Sequence, residues 1–590
     1  MSRDQYFREE LSYLKEQGRE FAEIYPQLSR FLNGRNTDPD VERLLEGFAF
    51  LTGKLREKVE DEFPELTHSI ISMLWPNYLR PIPSITMIKL TPKPKIISTR
   101  QTMTQDMQLH SIPVFDTTCQ FRSCRDVDVY PLERKHVSST HTRAASVIDL
   151  TLEVIGPQTV GEIDLQSLRF FLGGEPYSAQ MLYLWLSHYL DGIDVVYNDK
   201  TISVPCSCFR AVGFDSGDAI LPYPKNVYEG YRIIQEFLAF PEAFLFFDLE
   251  KLNHYIPADI RGEFTLRFRF SKTLPSDIRV RDDSFELYCT PAVNLFSHDA
   301  DPINLNGKSP EYRIVPSSRS PSHYEIFSID EVLGGSKDEK DKGRERGEKR
   351  LYSPFESFQH EVERAHARKA LYYRARVRDS IRSDGFEHFI SFVRSDETAH
   401  IDFSEAISLK LTCTNRQLPL ELGRGDISVA TDESPSFATF TNITEPTAPL
   451  RPTLDGSLLW TLISNLSLNY LSLLSKDALS SVLRAYDFRA LVDRQAEKIS
   501  RHRLEGIIDI KSKPVERLIQ GLPVRGLCSE ITLAQSAFGS EGELYLFGTV
   551  LSRFFALYAS INSFHELVVI NSDNRERYSW GIQTGLQPLI

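Results

Sequence analysis

The stretch from Asp38 to Pro83 constrains the fold more than any other part of this chain. Asp38 suits a helix N-cap and Pro39 suits the first helical position, and the apolar residues that follow recur at helical spacing. We therefore predict one long amphipathic helix that ends near Glu60. The apolar residues that recur in it are Val41, Leu44, Leu45, Phe48, Leu55 and Val59.

A second, shorter helix is predicted before Pro76, because a proline cannot continue a helix and disfavours helical backbone in the residue before it. Pro81 and Pro83 then force an extended exit. The stretch contains no chemically reactive constellation, so its pattern indicates a segment built for packing. The inward positions of the second helix are Leu66, Ile70, Met73 and Leu74.

The first residues of the chain carry a short heptad stripe, with apolar positions at alternating steps of four and three. Three heptads rarely make a stable coiled coil alone. The stripe therefore packs either within the chain or on a partner, and the sequence leaves both alternatives open. Its positions are Phe7, Leu11, Leu14, Gly18, Phe21 and Tyr25.

Composition bounds the class of protein. A chain of 590 residues is expected to hold about three or four domains. With 41% hydrophobic residues it can fill large cores, which excludes disorder of the whole chain. The net charge of -13 argues against a nucleic-acid partner, because such binding relies on clustered Lys and Arg.

Cysteine use and hydropathy indicate a cytoplasmic protein without membrane insertion. Seven cysteines in so long a chain do not form a disulfide scaffold, and a reducing compartment is the simplest interpretation. The first ten residues lack the apolar region of a secretory signal. The uncharged stretch Gly456 to Ser475 is too polar for a lipid-facing span, so we predict a buried helix there.

From Ser84 onward the hydrophobic pattern has period two, which predicts half-buried strands of a mostly antiparallel sheet. One helix, roughly Ala179 to Leu190, interrupts these strands. Two strands carry the clearest alternation. Their apolar positions are Ile148, Leu150, Leu152 and Val154 in the first and Phe264, Leu266, Phe268 and Phe270 in the second.

The second half of the chain is divided by a charged tract. Gly334 to Arg350 has mixed charges, scattered glycines and no apolar residues, which predicts a mobile surface loop. Helical stripes return later, one from Leu459 to Leu474 and one in a helix from Leu544 to Ser563.

Together these patterns predict a multidomain α+β fold. It has a helical N-terminal segment, a large and mostly antiparallel β-rich middle, and a mixed and helical C-terminal part. The predicted divisions are 1–83 (helical), 84–330 (β-rich), 331–350 (charged loop), 351–450 (mixed) and 451–590 (helix-rich).

One spacing is close to that of a zinc finger. Cys119, Cys124, His136 and His141 follow the pattern C-x4-C-x11-H-x4-H. The histidines of such a finger lie on one helix, whereas here they bracket V-S-S-T, a stretch that favours a strand. We therefore predict structural cysteines and no metal site.

Three further motifs also lack the spacing that their chemistry needs. Cys206 and Cys208 would lie on opposite faces of a strand, which makes a poor redox pair. The segment from His360 to His366 separates its histidines too far for a metalloprotease motif, and Gly539 to Gly542 is not a nucleophile elbow. With no phosphate-binding glycine loop either, the sequence suggests no catalytic residue and no cofactor.

Several blocks closely resemble the TssF family (also called VasA or ImpG), the baseplate wedge subunit of bacterial type VI secretion systems. The resemblance covers nearly the whole chain and starts with E-L-S-Y-L-K-E-Q-G-R-E-F-A. The blocks are Glu10 to Ala22, Asp38 to Pro83, Leu168 to Glu175, Phe209 to Phe214, Gly230 to Leu249, Pro291 to Phe296, Leu411 to Pro419, Asn465 to Leu474 and Phe554 to Phe564.

The resemblance implies a structural protein rather than an enzyme, and it carries over no catalytic residue. It implies that two copies of the chain embrace one TssG, and that wedges assemble around the VgrG hub beside neighbouring wedges. TssK and the sheath-initiating TssE attach to the same wedge. The implied location is cytoplasmic, docked at the inner membrane through the baseplate and the membrane complex.

Candidate contact residues come from the heptad stripe (Phe7, Leu11, Leu14, Phe21, Tyr25), from the last helix (Phe547, Phe554, Tyr558) and from Asn415 and Arg416. Internal packing, an internal salt bridge or a cap would explain the same residues. The proline-rich joins Trp75 to Pro83 and Pro446 to Pro452 are candidate hinges. Alternative functions are a wedge protein of another contractile machine and, less favoured, a cytoplasmic hydrolase.

Overall fold

The structure is a computed structural model. It describes residues 11–14, 43–52, 71, 75–198, 200–223, 231–305, 309–335, 350–355, 371–380, 385–394, 406–452, 475–519, 521–560 and 562–585. The chain divides into two units. The first comprises Met1–Ile71 and Asp455–Ile463, and the second comprises Ser72–Leu454 and Ser464–Ile590.

Six α-helices with defined ends lie in the described part of the second unit. They are α1 (Pro176–His188), α2 (Arg232–Ala239), α3 (Lys476–Tyr486), α4 (Phe488–Val492), α5 (Arg494–Glu505) and α6 (Glu541–Tyr558).

The strands of the first half are β1 (Ile85–Pro92), β2 (Gln101–Met103), β3 (Gln108–Val114), β4 (Thr117–Ser123), β5 (Val127–Val129), β6 (Leu132–His141), β7 (Ser146–Val154), β8 (Leu168–Phe171), β9 (Leu190–Tyr197), β10 (Lys200–Val204), β11 (Phe209–Val212), β12 (Phe246–Leu249), β13 (Glu263–Phe270), β14 (Glu286–Leu287), β15 (Cys289–Val293) and β16 (Phe296–Asp299).

The remaining strands are β17 (Ile303–Asn304), β18 (Tyr312–Arg313), β19 (Glu325–Gly335), β20 (Arg350–Leu351), β21 (Ser353–Pro354), β22 (Leu371–Asp379), β23 (Phe386–Arg394), β24 (Ala406–Thr414), β25 (Ala438–Asn442), β26 (Ile507–Ile519), β27 (Leu522–Leu533), β28 (Phe564–Asn571) and β29 (Arg577–Thr584). This content confirms the predicted β-rich α+β class.

The strands form several separate sheets rather than one large one. Their orders are β25-β1-β15-β4-β3, β10-β9-β13-β7-β6, β11-β12-β8-β14, β16-β24-β19-β20 with β17 beside β24, β18-β23-β22-β21, and β26-β27-β28-β29, with β2 and β5 as a separate pair. All pairings are antiparallel except β21 with β22 and β27 with β28.

The two strands with the clearest alternation are confirmed, and they are neighbours. β7 and β13 pair with Leu150 opposite Leu266, and their apolar side chains are buried while the intervening ones are not. On the other face, the Arg267 guanidinium donates to both carboxylate oxygens of Asp149 at 2.8 and 2.9 Å. The same alternation therefore fixes a core face and a cross-strand ion pair.

Both predicted single helices in the second unit are present with shifted ends. The first begins at Pro176, whose ring suits the first helical turn, and ends at His188. The second is α6, which begins earlier than predicted because the Ser540 hydroxyl caps it by accepting from the Glu543 N–H at 2.9 Å. It ends at Tyr558, and the chain then enters β28.

The C-terminal region contains a sheet that the hydrophobic pattern did not predict. β26 and β27 form a long antiparallel hairpin, and α6 connects β27 to its parallel neighbour β28. Apart from Ile507, no residue of β26 is buried. A strand exposed on both faces has no apolar alternation to reveal it.

In the first unit, residues 43–52 are helical, as predicted for this part of the long amphipathic helix. Leu44, Phe48 and Leu51 lie at helical spacing on one face and are 73%, 57% and 60% exposed, whereas Ala49 is fully buried. This helix presents an apolar face to solvent.

Several predicted features lie outside the described residues. They include most of the charged tract, whose two ends are paired as β19 and β20, with Leu333 opposite Leu351. They also include the segment from His360 to His366 and nearly all of the uncharged stretch from Gly456 to Ser475.

Candidate partner-binding surfaces

The two proline-rich joins lie side by side. Ile82 and Leu450 form an antiparallel bridge, and further on the Thr447 hydroxyl accepts from the Ile85 N–H at 3.0 Å. Arg451, in the second join, donates to the Glu325 carboxylate at 2.9 Å. This pairing removes the freedom that the predicted hinges would need.

A cluster of buried aromatic rings anchors the first join. Trp75 and Tyr78 are fully buried, and both pack edge-on against Tyr486 at 6.3 and 5.8 Å between ring centroids. Tyr486 in turn stacks on Tyr231 at 4.6 Å. Burial raises the pKa of the Tyr486 phenol well above its ordinary value. The cluster thus joins the start, middle and end of the second unit.

Asn415 serves an internal network. Its side chain is fully buried, and its carbonyl oxygen accepts from the Gln120 N–H at 3.0 Å and from the Asn294 amide at 2.9 Å. Asn294 returns the contact by accepting from the Asn415 N–H at 2.6 Å. The side chain of this predicted contact residue is thus engaged within the chain, and its contact role stays a prediction.

Arg416 follows with a left-handed backbone, at a φ of 52°. Its guanidinium donates to the Ser322 carbonyl at 3.3 Å and lies close to Gly385, where a Cβ would approach its Nη2 to 3.0 Å. These contacts are also within the chain.

The last helix is a core element on the face that carries Phe547 and Phe554. Both rings are buried, and they pack on Phe237 at 6.1 Å and on Tyr231 at 5.9 Å respectively. These two predicted contact residues thus pack within the chain. The side chain of Tyr558 lies outside the described residues.

The heptad stripe is described only in part. Leu11 and Leu14 lie in a helical turn and are half-buried, and Tyr13 between them is 58% exposed. Phe7, Phe21 and Tyr25 lie outside the described residues. The contact prediction for this stripe stays a prediction.

A groove of about 260 Å³ opens among α1, α2, α4, α5 and α6. Apolar side chains from Phe237, Leu238 and Ile499 line it, and Ile499 is 53% exposed. Its charged members take part in the fold: for example, Arg503 donates to the Glu543 carboxylate at 2.6 Å. The groove offers surface rather than reactive chemistry.

The sequence patterns did not predict a buried network of charged side chains in α2. Arg232 and Glu236 are almost fully buried and pair at 3.3 Å. Glu236 also accepts from the Ile220 N–H at 2.9 Å, and Arg232 donates to the Phe214 and Asp215 carbonyls. Burial outweighs these contacts and raises the pKa of Glu236. The network holds residues 214–221 against the helix.

The zinc-like spacing does not bring its residues together. Cys119 lies on β4 and His136 and His141 lie on β6, which belong to different sheets. Burial raises the pKa of the Cys119 and Cys124 thiols to about 12. Among the residues that the structure describes, no group of three His, Cys, Asp or Glu side chains could hold a metal ion.

The other sequence motifs have structural explanations. Cys206–Cys208 forms a short 3-10 turn. Ser540 caps α6, and Gly542 lies so close to α1 that a Cβ would come within 2.2 Å of the Gln180 carbonyl oxygen. Close helix packing, rather than catalysis, explains this glycine.

One serine–histidine pair occurs that the sequence did not indicate. The His565 ring shares a hydrogen bond of 2.9 Å with the Ser529 hydroxyl, and both residues are fully buried. Burial lowers the pKa of His565 to about 3. The pair lies inside the sheet, where it joins β27 to β28.

Comparison with known proteins identifies the family. The sequence model of the family described as "Type VI secretion system, TssF" matches residues 2–587. This chain belongs to the TssF family. The match names type VI secretion, which favours that system over another contractile machine.

Relatives of this TssF-family chain align over nearly its whole length. The type VI secretion system component TssF1 of Pseudomonas aeruginosa is 28% identical in an alignment 628 residues long that covers 99% of this chain and 99% of TssF1. A chain of a TssK-TssF-TssG baseplate subcomplex solved by cryo-electron microscopy superposes with a TM-score of 0.76 at 29% identity, covering 92% of this chain and 98% of that one.

A chain from a second solved structure, of the baseplate complex from the type VI secretion system, covers 100% of both chains. Its TM-score is 0.68 and its identity is 28%. Across the described part of this TssF-family chain, no helix has the length and apolar character needed to cross a membrane.

Proposed function

We propose that this chain is a structural subunit of the type VI secretion baseplate wedge and forms the wedge core with TssG. The observation that carries the proposal is the match of the TssF family model to residues 2–587. The superposition on a chain from a TssK-TssF-TssG subcomplex supports it.

The proposed assembly has two copies of this chain for each TssG, with TssK and TssE attached and the VgrG hub at the centre. In this arrangement the chain is cytoplasmic and docks at the inner membrane through the baseplate, in contact with neighbouring wedges. The proposed role is non-catalytic, and the baseplate role of the family supports that assignment.

The exposed apolar face of residues 43–52 is the best-supported contact surface for TssG. Leu44, Phe48 and Leu51 project from one side of a helix, an arrangement that fits a groove on another helical surface. Isolated large apolar side chains are common on protein surfaces, but three on one helix face favour an interaction site.

The test is co-expression of the full chain with TssG from the same gene cluster, purification through a tag on TssG, and light scattering of the eluted complex. We expect a stable complex with two copies of this chain for each TssG. Absence of this chain from the fraction that elutes with tagged TssG would overturn the proposal.

Two variants refine the test. The double variant L44D/F48D is expected to lose the complex while the second unit stays folded. Leu518→Asp is the matched control, because Leu518 is an apolar side chain that is 76% exposed and belongs to the β26–β27 hairpin rather than to residues 43–52. Equal loss in both variants would contradict the assignment of the surface.

A further inference from the structure

The β3–β4 hairpin ends in an unusual turn. Phe115 and Asp116 are its two central residues, and both have positive φ, 46° and 62°. Positive φ at both central positions defines a type I′ turn, which Asn and Gly favour. A left-handed backbone crowds the Cβ of Phe115 against its carbonyl oxygen. A bulky aromatic residue is therefore strained at this position.

The strained residue is also exposed. The Phe115 side chain is 71% exposed, and two further apolar side chains on the same edge, Ile112 and Val429, are 43% and 40% exposed. We call Ile112, Phe115 and Val429 the Phe115 patch. Backbone contacts hold the segments of Ile112 and Val429 side by side, because Ile112 N–H donates to the Asp426 carbonyl at 2.9 Å and Val429 N–H donates to the His110 carbonyl at 3.0 Å. Phe115 follows Ile112 by three residues in the same hairpin.

Two hydrogen bonds fix the hairpin that carries the patch, one to His323 outside it and one between its own strands. At the turn, the Thr117 hydroxyl and the His323 ring share a hydrogen bond of 2.8 Å. Further back, the Ser111 hydroxyl accepts from the Cys119 N–H at 3.0 Å. A tip fixed in this way loses little conformational entropy when it is bound.

The segments that carry the patch also carry exposed acidic side chains. Asp116 is exposed in the turn itself, and the loop that contains Val429 continues to the exposed Asp432 and Glu433. Glu433 lies close enough to β3 to favour the charged form of His110, although burial dominates and lowers the His110 pKa. Residues 423–433 thus carry three acidic residues, Asp426, Asp432 and Glu433, against one basic residue, Arg424.

We propose that the Phe115 patch docks into an apolar pocket with a basic rim on the TssK–TssG part of the baseplate. The inference rests on the proposed function and deepens it by naming a second contact surface. Aromatic side chains at the centre of a contact dominate binding energies, and a rim of opposite charge adds specificity and speeds association. The acidic residues Asp116, Asp432 and Glu433 favour Lys and Arg in the rim of the partner's pocket.

Replacement of Phe115 by Asn separates binding from folding. Asn tolerates a left-handed backbone, so Phe115→Asn is expected to leave the thermal midpoint unchanged or to raise it. Affinity for a purified TssK–TssG subcomplex, measured with the full chain by surface plasmon resonance, is expected to fall about thirty-fold. Unchanged affinity in Phe115→Asn would overturn the proposal.

Two controls complete the design. Asp116→Asn occupies the same turn and keeps the aromatic ring, so its affinity is expected to change by no more than about three-fold. Ile96→Asn removes an apolar side chain that is 57% exposed outside the patch, and it is expected to bind like the wild type. An equal loss in Ile96→Asn would also overturn the proposal.

Charge reversal tests the basic rim. The double variant D432K/E433K is expected to slow association about ten-fold at low salt and less at high salt. Faster or unchanged association would exclude a basic rim. A wild-type chain that fails to bind TssG at all would instead overturn the proposed function. If Phe115→Asn changed only the self-association of the chain, the partner at the patch would be a second copy, and this inference would be overturned.

Discussion

Ile82 and Leu450 exchange two backbone hydrogen bonds. The Ile82 N–H donates to the Leu450 carbonyl at 2.7 Å, and the Leu450 N–H donates to the Ile82 carbonyl at 2.9 Å. The segments on either side are rich in proline, and proline alone suggested two flexible joins. Proline lacks an N–H donor, but the residues between prolines keep theirs, and here they pair the two segments with each other.

Both joins also hold the start of β19. Arg80, from the first join, lies over the Phe327 ring at 5.1 Å. Arg451, from the second, donates to Glu325, whose side chain is 1% exposed. Glu325 also accepts from the Phe386 N–H at 3.3 Å. One carboxylate thus links the second join, β19 and β23.

We expect Glu325→Ala to lower the free energy of unfolding by about 3 kcal/mol, because it removes a buried carboxylate that accepts from both Arg451 and the Phe386 N–H. Urea denaturation of the full chain measures this change. The control is Glu331→Ala, which removes the partly exposed partner of Lys410 and is expected to cost less than about 1 kcal/mol. Equal values for the two variants would show that the Glu325 contact contributes little.

Asn415 gives a second prediction, which separates its internal role from a contact role. Asn415→Ala removes the acceptor that the partly buried Gln120 N–H and the buried Asn294 amide share, so we expect stability to fall by about 2 kcal/mol. Affinity for TssG of the folded variant is expected to be unchanged. A variant of normal stability that no longer binds TssG would support the contact role instead.

A third prediction concerns Gly542, where α6 packs closely against α1. A Cβ at this position would lie 2.2 Å from the Gln180 carbonyl oxygen and 2.6 Å from the Met181 nitrogen, and backbone atoms of a packed helix cannot move aside cheaply. We expect Gly542→Ala to cost about 1–3 kcal/mol. Gly217→Ala is the control, since nothing lies within 4 Å of its Cβ position. Equal melting temperatures would show that α1 and α6 adapt easily.

The sequence predicted β7 and β13 well because each buries one face and exposes the other, which leaves a period of two in the residue types. It did not predict β26, which is exposed on both faces, or α2, which buries Arg232 and Glu236 along with its apolar residues. A helix whose polar side chains are buried beside its apolar ones presents no polar face to reveal its orientation.

The same limit applies to the candidate contacts. Asn415 stood out as a polar residue in a short motif, but its role depends on Asn294, which lies 121 residues away along the chain. Phe547 and Phe554 form a stripe that a core and an interface would share. Phe115 gave no signal, because a single exposed aromatic residue becomes informative only through its backbone conformation and its neighbours.

Two buried histidines predict how stability depends on pH. Burial lowers the pKa of His565 to about 3 and that of His388 to about 4, so both are neutral in the folded protein near pH 7. The unfolded chain binds a proton at each site once the pH falls below about 6.5. The stability that a neutral, buried histidine contributes is therefore present above pH 6.5 and is lost as the pH falls towards the folded value.

When the pH falls from 8 to 5.5, protonation of each of these histidines in the unfolded chain is expected to lower the free energy of unfolding by about 1.4 kcal/mol. The measurement is the free energy of unfolding of the wild type, His565→Gln and the exposed-residue control His254→Gln at both pH values. We expect the free energy of unfolding of His565→Gln to fall by about 1.4 kcal/mol less than that of the wild type or of His254→Gln. The raised pKa of Glu236 acts in the opposite sense but is common to all three proteins. Equal losses in all three would show that His565 takes up a proton without unfolding.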